Sequence, residues 1–251
     1  MQPMHRAPSV VVTSIPALAE RFAARCTAAA LEARAARGRF SLAVPGGSVA
    51  EHFLPALAAA DIEWDPVDLF FVDERCVPPD SDDSNFAAVT KWFLDKLSTG
   101  PPRVHRMEGE RDDLARAAWD YVDTLRFVLG TPPVLDVALL GVGEDGHVAS
   151  LFPGHPTLRA GDSPVLIEDA APKPPERRLT LSLEVFASAR EVVVGAFGAT
   201  KSAAVADVLQ NPNSDLPLAL LLRTASHTTL LIDEDAAGDI DRWEHGATSE
   251  A

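Results

Sequence analysis

One loop of the sequence combines glycines with a histidine and an aspartate. Three glycines in the segment 141–146 follow the apolar run 134–140, and Asp145 and His147 accompany them. Glycine allows positive φ angles or close approach to a ligand, and an imidazole ionises near neutral pH. A lone histidine is usually structural, but these neighbours favour catalysis. Because open α/β sheets bind ligands beyond the carboxyl ends of their strands, the pattern predicts a loop holding His147 over a small polar substrate.

The same glycines match the dinucleotide-binding pattern Gly-x-Gly-x-x-Gly, with Glu168 roughly 20 residues later. That pattern needs a helix directly after its last glycine, whereas Pro153, Gly154 and Pro156 interrupt this segment. It also belongs on the first turn between a strand and a helix, and this one lies in the middle of the chain. A nucleotide site is therefore disfavoured.

A second glycine turn, Gly46-Gly47-Ser48, joins a predicted strand over 40–44 to a predicted helix over 50–60. Backbone N–H groups, a hydroxyl and a helix N-terminus in one turn can hold a phosphate. The alternative is a tight turn in which Ser48 caps the helix. The turn alone leaves both interpretations open.

Charged residues follow a third predicted strand, 67–72. Arg75 is a candidate to stabilise an oxyanion or to hold a phosphate. Asp73 adds a carboxylate at the same strand end, whereas Glu74 is expected in a solvated loop. Ser84 and Asn85 are expected to cap the next helix.

The remaining candidates are basic residues in a chain of net charge −15 that has only four lysines. Lys201 lies in the first turn of a predicted helix, 201–209, where a cation opposes the helix dipole unless an anion is bound. Arg177 and Arg178 precede a predicted strand, 179–183, and either could reach the same anion.

Composition limits the class of protein. With 251 residues, 47% of them hydrophobic and 24% charged, the chain is typical of a soluble globular domain. We expect one domain over 1–251 with its core over about 9–237. No apolar run approaches the ~20 residues of a membrane span, and residues 1–8 lack a signal-peptide core. Two cysteines form no disulfide framework, which favours the cytoplasm, and the acidic charge argues against nucleic acid as a partner.

Strand and helix patterns alternate along the chain, which predicts an α/β fold with a mainly parallel, doubly wound sheet. The predicted strands are 9–13, 40–44, 67–72, 134–140, 165–167, 179–183, 191–197 and 228–232. The predicted helices are 17–37, 50–60, 85–97, 112–129 and 201–209.

Together these motifs resemble the 6-phosphogluconolactonases of the glucosamine/galactosamine-6-phosphate isomerase superfamily. The resemblance spans about 9–237, and its most specific part is Asp-Gly-His-Val-Ala-Ser-Leu-Phe-Pro over 145–153. The related glucosamine-6-phosphate deaminases share the Asp-Gly-His but continue towards Phe-Asn-Glu-Pro. Their relay glutamate has no counterpart here, because Phe152 precedes Pro153.

The resemblance implies a single three-layer α/β/α Rossmann-like domain. It also implies hydrolysis of 6-phospho-D-glucono-1,5-lactone to 6-phosphogluconate in the oxidative pentose phosphate pathway, with no metal or other cofactor required. His147 would be the general base, Asp145 would orient it, and Arg75 would stabilise the oxyanion or help to bind phosphate. Asp73 would contact sugar hydroxyls. The phosphate would be held by Gly46, Gly47, Ser48, Arg178 and Lys201. We expect a phosphorylated sugar lactone as the partner, and a monomer or small homo-oligomer.

The chain departs from the family pattern in the phosphate turn. Pro45, Val49 and Ala50 stand in place of the serine, threonine and proline of Ser-Gly-Gly-Ser-Thr-Pro, which removes two hydroxyls and leaves room for a different anionic lactone. Two alternatives follow. One is an amino-sugar-phosphate isomerase or deaminase, which would release ammonia. The other is a non-catalytic sugar-phosphate sensor, which would bind its ligand tightly without turnover.

Overall fold

The computed structural model describes residues 7–161 and 163–240. Residues 1–6, which are most of the segment that lacks a signal-peptide core, and residues 241–251, which follow the expected core, lie outside the described part. The strands are β1 (Ser9–Val12), β2 (Phe40–Val44), β3 (Val67–Phe71), β4 (Asp73–Arg75), β5 (Arg103–Val104), β6 (Val137–Gly141), β7 (Val165–Glu168), β8 (Arg178–Leu181), β9 (Glu191–Ala196) and β10 (Thr228–Ile232).

Seven strands form one sheet in the order β1-β10-β9-β6-β2-β3-β5, and all neighbouring pairs are parallel. The mainly parallel sheet predicted from the alternating pattern is therefore confirmed. The other strands form a small antiparallel sheet, β4-β8-β7. The segment 73–75, which follows the predicted strand 67–72, is itself a strand of this small sheet, because it pairs with β8 more than 100 residues away.

The helices are α1 (Ile15–Arg37), α2 (Gly47–Ala58), α3 (Asn85–Trp92), α4 (Leu114–Leu129), α5 (Leu183–Ser188), α6 (Ser202–Gln210) and α7 (Pro217–Thr224). Helices α1, α2 and α3 pack in succession, whereas α7 contacts both α5 and α6. Right-handed crossovers between parallel strands place these two groups on opposite faces of the sheet. The sheet is thus the middle of three layers, and its strands β2, β3, β9 and β10 are buried almost throughout.

Helices α5 and α7 were not predicted. Helix α5 begins within the segment expected to be a strand over 179–183, because a short apolar run does not distinguish the two structures. The helix expected over 85–97 ends at Trp92, and a single 3₁₀ turn, Leu94–Lys96, follows it.

The order in which successive strands are added to the sheet reverses between β2 and β6. From β2 the chain proceeds outward to β3 and β5, whereas from β6 it proceeds to β9 and β10 on the other side. The connections that leave the carboxyl ends of β2 and β6 therefore diverge and open a crevice. Such a point is where open α/β sheets bind their ligands.

The amino-terminal edge of the sheet carries an ion pair whose carboxylate is buried and makes stability depend on pH. The Asp68 carboxylate accepts hydrogen bonds from the Arg103 guanidinium and contacts His105 Nε2, all at 2.9 Å. Burial alone would raise the pKa of Asp68, but the hydrogen bonds and charges of His105 and Arg103 lower it to about 2. Its stabilising contribution is therefore present above its ordinary pKa of about 3.9 and is lost as the pH falls towards about 2.

We therefore expect Asp68→Asn to lower the free energy of unfolding near neutral pH. The expected loss is only about 1–2 kcal/mol, because water reaches the partly exposed Arg103 and screens the pair. Denaturant titrations at several pH values should show the difference from the wild type shrinking between about pH 5 and about pH 2. Parallel stability curves for the two proteins would contradict this assignment.

Candidate active site

A cavity of about 150 Å³ lies at the crevice where β2 and β6 diverge. Seven of the residues expected at the site line it: Gly46, Gly47, Ser48, Asp73, Arg75, His147 and Arg178. They come from the turn after β2, from β4, from the loop after β6 and from the start of β8. The tertiary structure therefore gathers four segments that are far apart in sequence.

His147 is held within its own loop by Asp145. Its Nδ1 lies 2.6 Å from Asp145 Oδ1, and its backbone N–H donates to the same oxygen at 3.2 Å. Burial would raise the pKa of Asp145, but the hydrogen bonds and charge of His147 lower it to about 2. A side chain at Gly143 would collide with this pair, because its Cβ would lie 2.0 Å from His147 Nδ1. The glycine is thus what lets the pair form.

The loop has no helix directly after its last glycine. Gly146 adopts φ +77°, and residues up to the 3₁₀ turn Pro156–Arg159 form bends and isolated bridges. The expectation that no dinucleotide-binding helix follows is confirmed. Glu168 is instead buried in β7, where it accepts hydrogen bonds from the Thr157 hydroxyl at 2.6 Å and the Ala170 N–H at 2.9 Å.

Two arginines face each other at the cavity. Arg75 and Arg178 are register partners in the antiparallel pair β4–β8, so their side chains lie on the same face. Burial lowers the pKa of Arg178, and the charge of Arg75 lowers it further. Like charges placed opposite one another are unfavourable. An anion bound between them would relieve this repulsion.

The hydrogen bonds that Arg75 and Arg178 make within the protein leave some of their N–H donors for a ligand. Arg178 is held by the carbonyls of Pro175 and Lys173, at 3.0 and 2.8 Å. Arg75 Nη1 donates to the Asp83 carbonyl at 2.7 Å, but its buried Nε has no partner. A buried donor without an acceptor is costly, which fits a site completed by an anion.

The structure separates the two adjacent arginines that the sequence left unresolved. Arg178 is 6% exposed and lines the cavity. Arg177 is exposed and forms an ion pair with Asp169 at 3.1 Å. Arg178 is therefore the one of the two that lines the cavity.

Asp73 is buried, and the chain supplies donors to both of its carboxylate oxygens. Asn85 Nδ2 donates to Oδ1 at 2.8 Å, and the Ser150 hydroxyl donates to Oδ2 at 2.6 Å. Asn85 also lies so close to Gly46 that a Cβ there would be 2.0 Å from its Oδ1. Asn85, expected only as a helix cap, lines the cavity instead. Its position after the capping Ser84 gives no local signal of that.

Glu74 is not in a solvated loop, and that expectation is wrong. Its side chain is buried and accepts hydrogen bonds from the N–H groups of Arg75, Asn85 and Phe86 at 2.7–2.8 Å and from the Ser84 hydroxyl at 3.1 Å. Burial raises its pKa, although these backbone hydrogen bonds oppose the shift. Glu74 therefore ties the start of α3 to β4. Ser84 is the N-cap of α3, as expected.

Ser48 does not cap α2. The N-cap is Gly46, and Gly47 adopts φ +64° as the first helical residue, so Ser48 lies in the first turn of the helix. The interpretation of Ser48 as N-cap is therefore wrong, and the helix N-terminus faces the cavity through the glycines.

Two expected residues are not in the cavity wall. Asp145 lies behind His147, to which it is hydrogen-bonded. Lys201 ends the 3₁₀ turn Ala199–Lys201 that follows β9, and α6 begins at Ser202. Because β9 is the parallel neighbour of β6, Lys201 lies at the same edge of the sheet but one strand farther along.

Within residues 7–161 and 163–240, no group of three or more histidines, cysteines and acidic residues is arranged to hold a metal ion. In the same part of the chain, no helix combines the length and apolar character needed to cross a membrane.

This fold and cavity define a doubly wound α/β protein of the class that carries its site in a crevice at the switch point of the sheet, here lined by two arginines. The family of glucosamine-6-phosphate isomerases and 6-phosphogluconolactonases matches residues 14–231, and the chain belongs to this family.

Relatives agree with that membership. The 6-phosphogluconolactonase of Streptomyces coelicolor is 35% identical over 90% of this chain and 91% of its own. The human 6-phosphogluconolactonase is 36% identical over 80% of this chain and 81% of its own. The crystal structure of 6-phosphogluconolactonase from Leishmania guyanensis superposes with a TM-score of 0.80 at 29% identity, covering 94% of this chain and 100% of that one.

Proposed function

We propose that this protein hydrolyses 6-phospho-D-glucono-1,5-lactone to 6-phosphogluconate, with His147 as the general base. The observation that carries the proposal is the meeting of the His147–Asp145 pair with Arg75 and Arg178 in one cavity. The names of the relatives add independent support. We further propose that the reaction belongs to the oxidative pentose phosphate pathway in the cytoplasm, and that the protein is a monomer or small homo-oligomer.

The hydrogen bond to Asp145 selects the form of His147 that is suited to accept a proton. A carboxylate with a pKa of about 2 is ionised at neutral pH and can only accept, so the imidazole proton resides on Nδ1. This leaves Nε2 with a free lone pair. Nε2 can then remove a proton from the water that attacks the lactone carbonyl.

The two steps of the hydrolysis balance with this one base. As the oxygen of water bonds to the carbonyl carbon, its proton passes to His147 Nε2 and the carbonyl oxygen becomes an oxyanion. The Arg75 guanidinium, which lines the cavity, is the group assigned to stabilise that oxyanion. When the carbonyl re-forms, the bond to the ring oxygen breaks and the imidazolium returns its proton to that oxygen.

The substrate would extend beyond the cavity. The volume of the cavity, about 150 Å³, is smaller than the ~300 Å³ at the lower end of ordinary ligand pockets. Arg178 and the glycine turn before α2 form one anion-binding end of the crevice. Lys201, one strand farther along the same edge, would reach a phosphate that projects from it.

The surroundings of His147 favour hydrolysis over amino-sugar chemistry. Phe152 occupies the position before Pro153, and its ring centroid lies 4.6 Å from that of His147. Asp145 is the carboxylate that contacts the imidazole in the part of the chain described. Phe152 therefore occupies, beside the His147 ring, the position from which the related deaminases are expected to supply their relay glutamate.

A coupled assay tests the proposal directly. The phosphorylated lactone is generated in situ, and its loss is followed with and without the protein against spontaneous hydrolysis. We expect a rate well above that background and no ammonia from glucosamine 6-phosphate. Ammonia release would favour the deaminase alternative, and tight binding of the lactone without turnover would favour the sensor.

Replacement of Lys201 separates phosphate binding from chemistry. We expect Lys201→Ala to raise KM for the phosphorylated lactone by the equivalent of roughly 1.5–3 kcal/mol, the range for a hydrogen bond to a charged group. Unphosphorylated gluconolactone should be hydrolysed about equally by the variant and the wild type. Equal losses on both substrates would assign Lys201 to the fold or the chemistry instead.

A further inference from the structure

The loop that carries His147 contains a strained turn. Ala149 has φ +50°, in the left-handed region that costs a residue with a side chain free energy. The Leu151 N–H closes the turn by donating to the Val148 carbonyl at 2.9 Å. Because the turn follows His147 directly, the conformation of Ala149 influences where the imidazole lies.

Ser150 fastens this turn to the second sheet. It is fully buried, and its hydroxyl donates to Asp73 Oδ2 at 2.6 Å while its N–H donates to Thr180 Oγ1 at 3.3 Å. Asp73 and Thr180 are register partners in β4 and β8. The same strand pair carries Arg75 and Arg178. One residue thus connects the histidine loop to the strands that hold both arginines.

We propose that Ser150 is a positioning residue: its hydrogen bond to Asp73 holds Ala149 in the left-handed conformation and so fixes His147 relative to the arginine pair. A hydroxyl-to-carboxylate hydrogen bond is stronger than a neutral one, so it offsets the strain next to it. Asp73 then serves as the anchor of the catalytic loop. The kinetic consequence rests on the proposed function, whereas the anchoring itself does not.

The proposal predicts that the effect of losing the hydroxyl depends on the residue at position 149. Ser150→Ala should lower kcat about 10-fold or more, as for loss of a hydrogen bond to a charged group, with KM changed less than about 3-fold. In the background of Ala149→Gly the same replacement should lower kcat less than about 3-fold, because glycine adopts positive φ without strain.

Hydrogen exchange tests the anchor without any substrate. Ser150→Ala should speed exchange of the Leu151 amide, and this increase should be smaller when residue 149 is glycine. Ser182→Ala is the matched control, since Ser182 is also buried and its hydroxyl caps nothing. It should leave both kcat and this exchange near wild-type values.

The outcomes are distinguishable. Equal loss of kcat in both backgrounds, or unchanged exchange at Leu151, would overturn the role of Ser150. A wild-type protein that does not hydrolyse the phosphorylated lactone would overturn the proposed function, while the exchange measurement would still decide the anchor. If Ser150→Ala does not fold, Ser150→Cys, which fills the site with a slightly larger side chain and keeps only a weak donor, is compared in the same two backgrounds.

Discussion

His147→Ala is expected to lower kcat for the phosphorylated lactone by ~10²-fold or more, the usual contribution of general-base catalysis. The imidazole lines the cavity, and Asp145 holds its Nδ1 at 2.6 Å, so that Nε2 is left to accept a proton. The arginine pair and the glycine turn remain in the variant. KM should therefore change much less than kcat, as measured by initial rates in the coupled assay.

His227→Ala provides the matched control, because His227 lies at the amino end of β10, whereas the cavity lies beyond the carboxyl ends of the strands. It should retain wild-type kcat. A His147→Ala variant with near wild-type kcat would remove His147 from the mechanism. A large rise in KM at constant kcat would instead assign the ring to substrate binding.

Asp136→Ala is expected to lower the free energy of unfolding by about 3 kcal/mol, since it removes the buried acceptor of a charged network. The Asp136 carboxylate accepts from Arg37 at 2.8 Å and lies 3.3 Å from Arg190 Nε. It also accepts from the Ser41 N–H at 2.8 Å and the Ser41 hydroxyl at 3.0 Å. These bonds tie β2 to the start of β6, where the backbone pairing is short.

Thermal unfolding should show this loss as a Tm lower by roughly 6–12 °C, given about 2–4 °C per kcal/mol for a chain of this size. Asp61→Ala, at an exposed loop position, is the control and should change Tm little. Because Asp136 lies at the amino ends of the strands, the folded variant should keep its kcat. A Tm equal to that of the control would show that the arginines and Ser41 find other partners.

The two variants separate stability from chemistry across one sheet. Asp136 acts where β2 and β6 begin, and the cavity opens where the same two strands end. Loss of activity in Asp136→Ala at temperatures where it is folded would mean that the crevice depends on the strand register at its far end.

Several features of this protein were readable from the sequence because they are local. Asp145 and His147 are two residues apart, so their hydrogen bond requires only the turn that the intervening glycine permits. The order of strands and helices follows from periodicity and turn residues, and it predicts a parallel sheet with chemistry at the strand ends. The prolines after the glycine loop correctly argued against a nucleotide-binding helix.

The tertiary structure decided what depends on pairing between distant segments. Strand β4 exists because it pairs with β8, and that register places Arg178 opposite Arg75 while Arg177 remains outside. The same packing buries Glu74 and brings Asn85 to the cavity, although both positions look like solvated caps or loops in the sequence. Such contacts join residues with no shared periodicity, so no local pattern encodes them, and only the folded chain assigns these side chains to the site or to its support.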